Sequence, residues 1–444
     1  MALPPLPTPK TRRFLSADAL HGLLRMAFAA VPDSRPRPTI PLVDALLSAF
    51  ALFSLKDPSL LAFDARRPDR NLELLYGIGQ IPCDTQMREI LDRVDPENLR
   101  PAFQDVFRQV QRGKALERLV FYEGAYLLAL DGTGYFSSPT IHCDSCLEKV
   151  NRKTGEVTYV HQMLGAAIVH PDFREVIPLA PEAIVKQDGT TKNDCERNAA
   201  KRLLRKIRRE HPHLKFIVIE DGLASNAPHI RELMALDMHF LLGMKPGDHA
   251  FLFDQLIAAD DADQVTALVE KTADGGLSQI SFAHDLPLNE SNQDVRVNVL
   301  QYLELRPDGE TRRSFSWVTD LDITRRTARH LVRGGRARWK IENETFNTLK
   351  NQGYQFEHNF GHGRQNLSVV FAMLMMLAFL VDQVQQLCCP LFRAVWHKFG
   401  SKRALWENLR SHFQHFVFVS MRHLYEVMLH DLAKGVPAPA PNTS

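Results

Sequence analysis

Several protein classes are excluded by what this sequence lacks. No apolar core follows the N-terminal MALPPLPTPKTRRF, which reads against a secretory signal. The longest uncharged run, Leu367 to Val381, falls short of the roughly 18–20 residues that cross a bilayer. Asp382 and Gln383 close it, so a buried helix is expected there rather than a membrane anchor. Cysteine is sparse. Six residues, with Cys388 and Cys389 adjacent, make no disulfide framework and fit a reducing, intracellular setting. An excess of one charge is also missing: 54 Lys and Arg stand against 52 Asp and Glu, a net +2. Bulk charge therefore selects no partner, and basic residues matter only where they cluster. No internal repeat is visible.

What is present is an ordinary soluble composition, 45% hydrophobic and 24% charged, in a chain of 444 residues, long enough for two to four domains. Residues 1–12 form a Pro-rich basic arm. From about 15 to 118 the pattern is helical, with Asp84 expected to cap a helix that continues through Leu91. The segment 1–118 is a helical N-terminal region and a candidate DNA-binding domain. From 119 strands and helices alternate. Strands are expected at 125–131, 158–170, 174–184, 215–221 and 238–245, and helices near 192–210 and 226–236. This is an α/β pattern, a mixed sheet flanked by helices, over 119–245. A β-rich insertion follows over 246–320, with strands at 295–302 and 315–318. The core resumes at 321–385, with a helix expected to break at Gly334-Gly335 and restart at Arg336. Helices at 366–385, 390–398 and 402–433 lead into a C-terminal region and tail over 386–444.

Three carboxylates stand out. Asp131 ends the apolar run Tyr126-Leu127-Leu128-Ala129-Leu130, Asp221 ends Phe216-Ile217-Val218-Ile219-Glu220, and a Gly follows each. Alone, Asp-Gly after an apolar run is a turn signal. The third acid is Glu342. At helical spacing it shares a stripe with Trp339, Phe346 and Leu349, the side expected to face a core, where an uncompensated carboxylate costs several kcal/mol. Glu344 lies about 200° around the helix. Two acids at strand ends and one on a helix suit a divalent-metal site, because hard oxygen donors can hold two ions while a phosphate completes their coordination. Glu220 is expected on the opposite sheet face, in a structural role.

LALDGTGYF, VIEDGLASN and GRARWKIENETFNTLK, in this order and with a β-rich insertion before the last, resemble the DDE transposases of bacterial insertion sequences. The likeness is to the group with an Arg-x-x-x-Glu signature and covers most of 80–382. It implies an RNase H-like catalytic domain with Asp131, Asp221 and Glu342 as catalytic, metal-binding acids, and Arg338 as the signature Arg. It further implies Mg2+ dependence, with Mn2+ able to substitute. The substrate would be double-stranded DNA, cut and joined at transposon terminal repeats and a target. A homodimer would act on that DNA in the bacterial cytoplasm, at the nucleoid. Two positions depart from the larger group: Gly335 replaces a Tyr, and Leu349 replaces a Lys, which here is Lys350. The rival readings are an RNase H-like nuclease that cuts without joining, and a catalytically dead, transposase-derived DNA-binding protein.

Basic runs complete the reading. Arg325, Arg326, Arg329, Arg333, Arg336 and Arg338 precede Glu342 and are expected to contact DNA phosphates, as are Lys350 and His358. The run Lys201, Arg202, Arg205, Lys206, Arg208, Arg209 fits DNA or solvent equally well. His358 and His362 have ligand spacing but no partner Cys or acid in their Phe- and Gly-rich loop, so a structural role is the commoner reading and contact with DNA near the site the functional one. Cys143-x-x-Cys146, after His142, lacks a second pair in sequence and is not read as a zinc site.

Overall fold

The computed structural model describes residues 13–189, 191–430 and 436–437. The arm expected over 1–12 lies outside these residues. Six helices come first: α1 (Ala17–Ala29), α2 (Leu42–Leu55), α3 (Leu60–Asp64), α4 (Arg70–Tyr76), α5 (Asp84–Leu91) and α6 (Arg100–Arg112). The helical N-terminal region is thus as the pattern required. Its one detailed cap differs, since Asp84 is the first helical residue and Cys83 precedes it as the cap, with Gln86 Oε1 accepting from the Cys83 N–H at 3.1 Å.

The strands follow as β1 (Val120–Tyr122), β2 (Ala125–Ser138), β3 (Leu147–Val150), β4 (Val157–Val169), β5 (Ile177–Pro178) and β6 (Glu182–Ile184). Then come α7 (Lys192–Glu210), β7 (Phe216–Glu220), α8 (Ala227–Ala235), β8 (His239–Gly243) and α9 (Ala250–Asp261). The insertion continues as β9 (Thr266–Lys271), β10 (Leu277–Asn289), β11 (Asn292–Leu305) and β12 (Thr311–Thr319). These twelve strands, among the described residues, form one mixed sheet ordered β3-β4-β2-β7-β8-β12-β11-β10-β9 along its main path. Only β2–β7 and β7–β8 pair in parallel; α8 joins β7 to β8, whereas the chain reaches β7 from β2 through β3–β6 and α7, and β2–β4 is an antiparallel ladder. This is the mixed sheet flanked by helices expected of an RNase H-like core. The β-rich insertion does not form a separate body. Trp317, Val318 and Thr319 of β12 pair with Gly243, Leu242 and Leu241 of β8, so the insertion extends the core sheet.

Three expected boundaries are corrected. β2 does not end at Asp131 but runs on to Ser138, because the long β4 supplies hydrogen-bonding partners beyond the acid, Gly132 opposite Leu164 and Thr133 opposite Met163. The strand expected over 174–184 is two short pieces, β5 and β6, interrupted around Pro178 and Pro181, which lack the N–H a ladder needs. Gly334 and Gly335 do not break their helix: α10 (Ala328–Arg336) runs through them. A β-carbon on Gly334 would lie 2.7 Å from the Phe121 ring, and one on Gly335 2.5 Å from Trp317. The glycines let α10 pack directly against the sheet, which explains why no Tyr stands at 335.

Beyond α10 a π-helical segment, Ile341–Phe346, leads into α11 (Asn347–Asn351), then α12 (Leu367–Cys388), α13 (Pro390–Phe399), α14 (Lys402–His415) and α15 (Met421–His430). The single helix expected over 402–433 is therefore two. Helix α12 is longer than its uncharged run and is apolar enough to cross a membrane by length and composition, yet 94% of its most apolar window is buried inside the protein. It is the central core helix, with α2 against it; Phe53 meets Phe371 edge to face at 5.8 Å. Asp382 near its end accepts from Lys56 Nζ at 2.5 Å and from the Tyr354 hydroxyl, and Lys56 also lies 3.8 Å from the Trp406 ring centroid. That buried cluster ties the N-terminal helices, the segment after α11 and α14 to one point.

Candidate active site

The sheet register brings the first two acids together. Ala129 of β2 pairs with Ile219 of β7, so Asp131 and Asp221 stand at equivalent positions two residues further along adjacent parallel strands. β7 stops at Glu220, and Asp221 Oδ1 accepts from the Leu223 N–H at 2.9 Å, turning the chain out of the sheet. The Glu220 side chain pairs with buried His229 at 2.6 Å, the structural role expected of it.

The third acid arrives through close packing. Asp131 lies opposite Gly165 on β4, and a β-carbon at Gly165 would sit 2.9 Å from the Phe346 ring. The π-helical segment therefore rests on the β2–β4 ladder at the level of Asp131, with Glu342 half-buried beside it. The stripe expected around Glu342 is corrected in part. Ile341, Thr345, Phe346, Thr348 and Leu349 face inward, whereas Trp339 is 46% exposed with Arg338 against its ring at 4.5 Å. A π turn carries an extra residue, which rotates the face set by 3.6-residue spacing. Glu344 points elsewhere, 4.0 Å from Arg174.

Burial pushes the Asp131 carboxyl up to about 6. The charges of Asp221 and Glu342 add to the rise, and Arg338 and the Gly132 N–H oppose it. The three acids thus share one electrostatic environment, and Arg338 Nη1 lies 3.6 Å from Asp131 Oδ2. Three hard carboxylate donors with one nearby cation make a donor set suited to Mg2+ or Mn2+. Asp131 and Asp221 open onto a cleft of about 710 Å3 also lined by Glu196, Arg197, Lys245 and His249. No local pattern in the sequence marks these four. Glu196 opens no recognisable motif, although a β-carbon at Gly132 would sit only 3.1 Å from its carboxyl carbon.

The basic run is only partly available to a ligand. Arg325 and Arg326 are exposed, but Arg329 pairs with Glu270, Arg333 with Asp172, and Arg336 lies over the Tyr302 and Phe315 rings. Lys350 pairs with Glu357 at 2.9 Å, and exposed His358 stands edge-on to Phe360. His362 is buried against Cys146, which fits the structural reading of this loop and not a contact with DNA. The 201–209 run is at the surface but largely taken up in ion pairs, with Arg202 on Glu182 and Asp188, Arg205 on Glu232, and Lys206 on Glu97 and Glu182.

Residues 128–380 match the family model of the transposase DDE domain, more than half of the chain. No curated protein matches the chain.

Proposed function

Because the chain belongs to the transposase DDE domain family, we propose that it cleaves double-stranded DNA at the ends of a mobile element and joins those ends to a target, with Asp131, Asp221 and Glu342 as the metal-binding acids. The observation that carries this reading is the convergence of the three carboxylates: two on in-register parallel strands, the third delivered by the segment packed on Gly165. When bound, Mg2+, or Mn2+ in its place, supplies activation of the attacking oxygen and charge neutralisation at the leaving one. Asp131 must be ionised to take part. Arg338 balances its charge in the free protein and stands where it can steady a phosphate oxygen. Arg197 and Lys245 line the cleft and can hold flanking phosphates, while exposed Arg325 and Arg326 extend the basic path. The protein works as a homodimer on paired DNA ends in the cytoplasm, and the N-terminal region, 1–118, is the candidate for reading the end sequence.

The test is a strand-transfer assay with labelled DNA ends and Mg2+. Joined product is the expected result. Cut ends without joined product would favour the nuclease reading, and binding without cutting a dead descendant.

A further inference from the structure

A second cluster of potential ligands lies apart from the three acids. Cys143 and Cys146 sit in the loop between β2 and β3, His161 on β4, and His362 in the loop between α11 and α12. Their ligand atoms all fall within 4.8 Å of one another. The two sulfurs are 3.8 Å apart, and His161 Nε2 lies 3.5 Å from Cys143 Sγ and 3.4 Å from Cys146 Sγ. His362 Nε2 is 3.4 Å from Cys146 Sγ and 3.1 Å from His161 Nε2.

We propose that Cys143, Cys146, His161 and His362 form a structural Zn2+ site. Zinc–sulfur bonds of about 2.3 Å and zinc–nitrogen bonds of about 2.0–2.1 Å at tetrahedral angles require separations of about 3.8 Å for S···S, about 3.6 Å for S···N and about 3.3 Å for N···N. The observed separations follow that pattern for each atom type. The surroundings are also those of a ligand set. His362 Nδ1 lies 2.9 Å from the Gly363 carbonyl, which can only accept. That nitrogen therefore carries the hydrogen and Nε2 keeps its lone pair for a metal, the outer hydrogen bond that fixes a ligating histidine. The Cys143 N–H points at Cys146 Sγ, 3.4 Å away, as a backbone donor to a thiolate would. Three of the four residues are buried, beside the Tyr135 and Phe136 rings. Four protein ligands complete a tetrahedron and leave no open position, so the site is structural, and N and S donors select zinc over the Mg2+ suited to the carboxylates.

No spacing in the sequence discloses this set, because His362 lies 216 residues beyond Cys146. The ion would clip together the loop that ends β2, which carries Asp131, and the loop that follows the segment carrying Glu342. It thus braces two of the three acids from behind without touching the reaction.

The test is metal analysis of the full-length protein purified under reducing conditions and reconstituted with Zn2+, after gel filtration. One equivalent per chain is expected, released by a thiol-specific mercurial, and Asp131→Asn should keep it. A Cys143→Ser/Cys146→Ser variant that remains folded by circular dichroism should hold none. If that variant does not fold, wild-type protein loaded with Co2+ decides, because thiolate-to-cobalt charge transfer and tetrahedral d–d bands are expected. Wild-type protein that takes up no zinc, a folded double variant that retains it, or a cobalt spectrum without thiolate bands would each overturn the site.

Discussion

Gly165 faces Asp131 across the β2–β4 ladder, and the ring of Phe346 occupies the space that a side chain at 165 would need. This close approach sets the height of Glu342 over the sheet. Gly165→Val should displace Phe346 and with it Glu342 while the fold persists. A shift near 1 Å at a reacting centre can cost on the order of 10²-fold in rate. Single-turnover cleavage should fall by that order with an unchanged circular-dichroism spectrum; wild-type cleavage would mean that this packing does not place the acid.

The environment of Asp131 gives a stability test in the absence of metal. Its folded pKa is raised from 3.8 to about 6, so the fold favours the neutral form. That stability is fully present below the ordinary value and is lost as pH rises through about 6. Asp131→Asn should therefore stabilise the metal-free protein at pH 7.5 by about 1–3 kcal/mol, and the gain should vanish below pH 4. Denaturant midpoints at the two pH values measure it, and equal midpoints at pH 7.5 would contradict the electrostatic reading.

Arg338 and the preceding arginines should separate by phenotype. Arg338 lies beside Asp131, so Arg338→Ala should lower the cleavage rate more than DNA affinity. Arg325→Ala and Arg326→Ala, at exposed positions, should each flatten the dependence of log affinity on log salt by a slope of about 0.9. Arg329 and Arg333 already face acids, so their removal should change the slope less. Binding isotherms across a salt series distinguish these outcomes, and slopes unchanged from wild type in the Arg325, Arg326, Arg329 and Arg333 variants would place the DNA elsewhere.

The Lys56–Asp382 pair supports the fold from a distance. Asp382→Asn leaves a buried ammonium without its counterion, which typically costs about 3–5 kcal/mol. Unfolding should shift accordingly, with the N-terminal helices affected together with α12 and α14. An unshifted transition would show that the Trp406 and Tyr354 rings suffice for Lys56.

The alternating pattern after residue 119, the mixed sheet flanked by helices and the family likeness are legible because apolar runs and Asp-Gly punctuation are local signals. The extension of β2 was hidden because its partner, β4, lies in another segment. The π turn was invisible to 3.6-residue spacing, so Trp339 was assigned to the core although it lies outside. Gly334 and Gly335 looked like a helix break, whereas they serve contacts with Phe121 and Trp317. His161 and His362 meet the cysteines only in three dimensions. Each miss comes from tertiary packing that overrides a local rule.

The most direct test of the catalytic account is single-turnover cleavage of labelled element ends in Mg2+ by Asp131→Asn, Asp221→Asn, Glu342→Gln and, as control, Glu344→Gln, with DNA binding measured in parallel. The account predicts that the first three bind DNA but do not cut it, and that Glu344→Gln, whose wild-type carboxylate faces Arg174, retains substantial activity. Cleavage at the wild-type rate by any of the first three, or loss of cleavage in Glu344→Gln with Glu342→Gln active, would contradict it.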